Sequence, residues 1–209
     1  MPQTRAALTR RRVLLAAAAE LARHGYAGTS LARIASQAGV TLGALTFHFR
    51  TKPELTRGVY EDGAASTRTA LDRALGRSQL PLQNVIDITH EVARLLRAEI
   101  TVRAASRLSR EAALGEAALT GCAWDQIWLG DIKRLAKKAQ ARGDLGESCS
   151  AELLCCLVVC LLAGFDSPSA RPPGSDCEGL GVLPQLWCLM LCSVAAPGSH
   201  LLLPEGSPG

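Results

Sequence analysis

Between Ala38 and Leu42 the chain turns from one helical pattern into another across three residues, and that break constrains everything around it. Leu31, Ile34, Ala35 and Ala38 recur at helical spacing behind Thr29 and Ser30, either of which can cap a helix start. Gly39 stands where a residue without a Cβ can take the left-handed conformation that ends a helix. Val40 can plug the turn, and Thr41 can cap a second short helix over Leu42 to Phe47. Helices joined that tightly cannot lie antiparallel; a short turn with Gly sets them at a steep angle, as a helix-turn-helix. A further helix opens at once, because Thr51-Lys52-Pro53-Glu54 reads as a capping box with Pro in the first turn.

Charge is distributed unevenly about this motif. Residues 1–60 hold nine Lys/Arg against two acids, and the rest hold 14 against 17, which together make the net +4. In a helix-turn-helix the first helix braces on the DNA backbone and the second enters the major groove. A basic quarter on a mildly acidic body is the footprint of a chain that docks one end on phosphate. The pattern predicts an N-terminal arm over Met1 to Ala7, with Arg5 free to reach phosphate, then a helix from Thr9 to Arg23. That places Arg10, Arg11 and Arg12 at a helix start, where the dipole disfavours positive charge. Phosphate would explain their presence there.

The remainder reads as helix after helix: Pro81 to Glu99, Val102 to Ala113, Trp124 to Arg142, Leu153 to Phe165 and Leu180 to Ala196. The expected fold is all-α with about nine to ten helices, an N-terminal three-helix helix-turn-helix domain and a C-terminal helical body. Its boundaries fall at 1–55 for the head, 56–196 for the ligand-binding and dimerisation body, and 197–209 for a disordered tail. Asp166 to Gly179, rich in Pro, Gly and Ser, is expected as a loop. Leu153 to Phe165 is apolar on every side, which predicts a helix buried all round or one sharing a subunit interface. Its 13 residues fall short of the ~20 needed to span a bilayer, and no signal-peptide core precedes Glu20. No membrane is expected as a partner, and the predicted location is cytoplasmic. The eight cysteines include no CxxC and no Cys/His pair at zinc spacing, and five lie within apolar runs. No metal or cofactor is expected. No nucleophile motif or phosphate loop occurs, and the four histidines have no matched acidic partners, so the chain does not read as an enzyme.

From Ala18 to Leu55, the run GYxxTSLxxIAxxAGVTxGALxFHFxxKxxL beginning at Gly25 resembles the DNA-binding domain of the TetR family of bacterial repressors. FHF before the lysine is most similar to the γ-butyrolactone receptor branch. The resemblance implies phosphate contacts at Ser30, Thr41, His48 and Lys52, and close approach to the groove at Gly43 and Ala44. With Leu42, Thr46 and Phe47 on the same helix, and Arg5, Arg10 and Arg33 in the basic quarter, these residues make the expected DNA face. This chain departs from the family at three places: Leu42 for a usual Lys or polar residue, Thr46 for Tyr, and Ala22 for Phe. The resemblance also aligns Trp124 with a tryptophan lining the ligand cavity. Trp128 one turn on, with Arg103 and Arg107 on one helix face with Glu111, completes the expected site for a small hydrophobic effector. It implies a homodimer through two terminal helices, here expected to use Leu153, Leu157, Leu161, Leu186, Trp187 and Met190. The expected function is a ligand-responsive repressor of secondary-metabolite genes that binds a pseudo-palindromic double-stranded operator and is released by a γ-butyrolactone-like signal or an antibiotic intermediate. The alternative is a degenerate paralogue that no longer reads DNA and acts by protein–protein association.

Overall fold

The computed structural model describes residues 2–75, 78–166 and 181–196. Among these residues the fold is all-α, with nine helices and no strand beyond one isolated antiparallel bridge between Leu145 and Ala195. No helix among them is long and apolar enough to cross a membrane. The tail at 197–209 and the loop at 167–180 lie outside the described residues.

The chain forms two compact units, the first made of residues 1–67 and 97–125, the second of 68–96 and 126–209. The division therefore differs from the one expected at residue 55, which falls inside a continuous helix. In the first unit, α1 (Pro2–His24), α2 (Leu31–Ala38), α3 (Leu42–His48) and the first part of α4 (Lys52–Ala74) gather with α6 (Ile100–Ala113). Sequence patterning could not foresee α6 in this group, because its contact with α1 joins segments about 85 residues apart.

The core of this unit is aliphatic. Val13, Leu14, Ala17, Ala18 and Leu21 of α1 meet Ile34, Ala35 and Ala38 of α2, Leu45 and Phe49, Leu55 and Val59 of α4, and Ala104 and Leu108 of α6. Burying Leu45 and Phe49 contributes roughly 1.5–3 kcal/mol each, which fixes α3 against its neighbours by one side only. Ala22, where the related pattern has Phe, is partly buried against the same core. Two expectations about α1 are corrected. There is no separate arm: helix begins at Pro2, whose missing N–H suits a first helical position. Arg10, Arg11 and Arg12 consequently lie in mid-helix, so the dipole argument for phosphate does not apply to them.

In the second unit α5 (Pro81–Ala98) is largely buried, with Val85, Ile86, Ile88, Val92, Ala93 and Leu95 fully so. α7 (Gln126–Arg142) packs on α8 (Ala151–Asp166), and α9 (Val182–Val194) returns to form the bridge through Ala195. α8 is not buried all round. Leu154, Val158 and Leu162 face inward at i, i+4, i+8, while Leu153 and Val159 remain 53% and 39% exposed.

Candidate nucleic-acid interface

The helix-turn-helix forms as its sequence predicts. Ser30, extended at φ −128, caps α2 by accepting a hydrogen bond from Arg33 N at 3.3 Å. Gly39 ends α2 in the left-handed region, at φ 63 and ψ 40. Thr41 Oγ1 accepts from Ala44 N at 3.1 Å and starts α3. Thr51 Oγ1 then accepts from Glu54 N at 3.2 Å, while the Glu54 carboxylate accepts from Arg50 N at 2.8 Å. The capping box thus closes one residue further back than the usual reciprocal pair.

With Leu45 buried, the opposite side of α3 is open. Leu42 is 49% exposed and Phe47 82%, with Thr41 and Gly43 also exposed. A Cβ placed on Gly43 would meet nothing nearer than Thr41 Oγ1 at 4.0 Å, so close approach from outside is unobstructed. His48 is half-buried and meets the Phe47 ring edge-on, with centroids 5.3 Å apart, while Phe49 is the core residue of the FHF run. Thr46 is half-buried, and its hydroxyl donates back to its own helix, to the carbonyls of Leu42 at 3.0 Å and Gly43 at 3.1 Å. Ala44 is half-buried beside it.

The basic residues divide by geometry. Arg5 is exposed on the first turns of α1. Arg10 lies over the Phe49 ring at 4.8 Å, and Lys52 Nζ over the Tyr26 ring at 4.3 Å, both on the rim of the motif. Arg33 has a structural tie: Nη1 donates to Gly28 O at 3.2 Å and lies 3.5 Å from the buried Glu20 carboxylate. Arg11 pairs with Asp62. Arg12, read from sequence with Arg10 and Arg11 as a phosphate-facing run, donates to Ala38 O at 2.7 Å and caps the last turn of α2. Nothing in the sequence separates these three roles within one run of arginines.

The four residues expected to hold an effector are not drawn together within either unit. Trp124, 3% exposed in the first unit, donates its indole N–H to Thr67 Oγ1 at 2.8 Å. Its backbone N–H donates to Ser109 Oγ at 3.1 Å, and Ser109 donates to Asp125 at 2.7 Å. Thr67 lies 57 residues from Trp124 and no sequence signal marks it. Trp128, 4% exposed, belongs to the second unit. Arg103 is exposed. Arg107 pairs with Glu111 at 2.9 Å and bonds the end of α1. A cleft of about 510 Å³ in the second unit is lined by Pro81, Asn84, Arg134, Leu135 and Lys138 among others, and one of about 360 Å³ in the first by Arg57, Tyr60, Leu119 and Cys122 among others. Neither is lined by Trp124, Trp128, Arg103 or Arg107. Burial pushes the Cys122 thiol up, against the pull of Arg57, which disfavours a reactive thiolate there.

On α8 and α9 the expected interface residues also separate. Leu153 is exposed, and Leu157, Leu161, Leu186 and Met190 are half-buried. Trp187 has no exposed surface and packs inside its own protomer, so it cannot face a partner; Leu189, 72% exposed, stands on the open side instead.

Residues 13–59 match the family described as bacterial regulatory proteins, tetR family. The chain is 28% identical over 206 residues to the A-factor receptor protein of Streptomyces griseus, covering 98% of this chain and 70% of that one. The TetR family protein CprB from Streptomyces coelicolor, solved in complex with its biological operator sequence, is similar with a TM-score of 0.75 and 25% identity. That likeness covers 93% of this chain and 92% of the other. A γ-butyrolactone receptor described as an ArpA-like protein is similar in fold with a TM-score of 0.71 at 23% identity, over 93% of this chain and 91% of that chain.

Proposed function

Because the chain belongs to the TetR family of bacterial regulatory proteins, of the γ-butyrolactone receptor type, and is a DNA-binding transcriptional regulator, we propose that it is a ligand-responsive repressor. It binds a pseudo-palindromic operator as a homodimer and is released by a small hydrophobic signal of the γ-butyrolactone or antibiotic-intermediate class, controlling secondary-metabolite genes. The observation that carries this reading is the open face of α3. A short helix anchored by Leu45 presents Thr41, Leu42, Gly43 and Phe47 outward, with Ser30 exposed at the start of α2 and Lys52 half-buried at the start of α4. Short hydroxyls and cations at the rim suit backbone positioning. Leu42 and Phe47 suit apolar contact with thymine methyls, which is base readout without a donor. The related proteins are regulators rather than enzymes, and the related CprB was solved with its operator. Release by a ligand requires that the ligand favour a conformation that no longer fits DNA.

A titration against DNA upstream of the gene, at two salt concentrations and with or without extract of the producing culture, tests this. Sequence-specific binding that weakens with salt and is released by extract is expected. Binding equal to that of random DNA would favour the second reading, a paralogue that acts by associating with another protein. One observation supports that alternative: the Thr46 hydroxyl donates its proton to its own helix, at Leu42 O and Gly43 O.

A further inference from the structure

We infer that Arg107 and Glu111 are positioning residues for DNA recognition: a two-residue clasp on α6 that holds the turn between α1 and α2, and through it the phosphate-facing rim of the motif. The inference rests on the operator-binding function proposed above. The last carbonyls of a helix have no partner within it. At the end of α1, Gly25 N satisfies Leu21 O at 2.9 Å, but Ala22 O and Arg23 O are met from outside, by Arg107 Nη1 at 3.1 and 2.9 Å. A cation at that end also complements the helix dipole. Arg107 Nε binds Glu111 Oε1 at 2.9 Å, and Glu111 Oε2 accepts from Tyr26 N at 2.8 Å. One ion pair therefore grips both sides of the turn.

The turn is shaped to admit it. Gly25 sits at φ +71, and a Cβ there would lie 2.0 Å from Glu111 Oε1. Beyond the grip, Thr29 Oγ1 donates to Gly25 O at 2.7 Å and Thr29 N to Tyr26 O at 3.2 Å, which delivers Ser30 to its capping position. The ring of the clamped Tyr26 carries Lys52 Nζ at 4.3 Å. Ser30 and Lys52 are two of the residues that face phosphate in the proposed complex, and both adjoin the segment the clasp holds. Neither Arg107 nor Glu111 belongs to the DNA face; they act through backbone geometry. The fork of the guanidinium is essential, since it reaches a carboxylate and two carbonyls at once and an ammonium on a flexible stem cannot reproduce that.

The test uses the full chain with Arg107→Lys, Glu111→Gln and the double variant. Equilibrium affinity is measured for a duplex that the wild-type protein selects from random DNA and for a scrambled duplex, with melting temperature alongside. The expected result is a loss of about tenfold in specific affinity for each single variant, the size of one charged hydrogen-bond contribution. The double variant should lose little more, because both residues act through one device. Affinity for the scrambled duplex and its salt slope should not change, since every phosphate-facing cation is retained. Specific affinity that survives in folded variants, or falls equally on both duplexes, overturns the clasp. Hydrogen exchange at the Tyr26 amide of the wild-type protein gives a reading independent of variant folding: protection is expected, and an unprotected amide overturns the clasp. A wild-type protein that selects no duplex overturns the operator-binding function and the clasp with it, whereas selection followed by unchanged variants overturns the clasp alone.

Discussion

Phe47 tests the DNA face most cleanly at the scale of one residue. At 82% exposure its ring adds little packing beyond the edge-on contact with His48, so Phe47→Ala should leave stability within about 0.5 kcal/mol of wild type. Base contacts are typically worth ~1–3 kcal/mol each, so specific affinity should fall roughly tenfold. Denaturant melts and an equilibrium titration on the same samples decide it; unchanged affinity would remove α3 from the groove. Leu42→Lys probes the neighbouring position in the opposite direction. A lysine there restores the cation common in the related pattern, and the slope of log affinity against log salt should steepen by about one. A slope that does not move would show that the added ammonium releases no counterion, and so that residue 42 lies outside the DNA interface. These two side chains were legible in the sequence because a seven-residue helix that buries Leu45 leaves few other positions to face outward. Arg10, Arg11, Arg12 and Arg33 were not, because an arginine offers five donors to any partner in reach, and only the folded neighbours decide between Phe49, Asp62, Ala38 and Glu20.

At the scale of elements, the local grammar of caps and glycines placed α2, α3 and the start of α4 closely, since Ser30, Gly39, Thr41 and Thr51 act within four residues of themselves. Contacts that depend on distant partners were not legible. α6 joins the first unit through Arg107 and Glu111, and Trp124 is held by Thr67, neither of which any spacing announces. α5 carries a testable consequence of its own burial. Desolvation lowers the pKa of His90, with the Ile86 carbonyl and Asp87 opposing it. The unfolded chain takes up the proton near pH 6.5 and the folded chain only at lower pH. Between those values the unfolded state binds more protons, so stability rises with pH there, is complete above about 6.5, and declines as the pH falls through that window. Urea melts at about pH 5.5 and about pH 7.5 should show a loss on acidification that His90→Gln reduces. An equal loss in both proteins would assign the effect to other groups.

At the scale of the whole molecule, the open sides of α8 and α9 are the feature a monomer does not explain. Leu153, Val159 and Leu189 are exposed, and Cys156, Cys160, Cys188 and Cys192 are exposed on the same two helices. Apolar side chains left open to solvent along two helices suit an association site. In the proposed repressor its occupant is a second copy, because a two-fold interface is self-complementary and a pseudo-palindrome needs two recognition helices about one DNA turn apart. Leu189→Glu combined with Leu153→Glu would bury unpaired carboxylates in that contact, a defect worth roughly 3–5 kcal/mol where a charge has no partner. Sedimentation velocity should then show a monomer where the wild type shows a dimer. Specific affinity should collapse while weak binding to random DNA persists, since each head keeps its own cations and its own core. Thiol labelling supplies the independent check: the four cysteines should resist a maleimide in the wild-type dimer and react in the variant. A wild type that sediments as a monomer, or a variant that remains dimeric with its thiols protected, would move the interface away from α8 and α9.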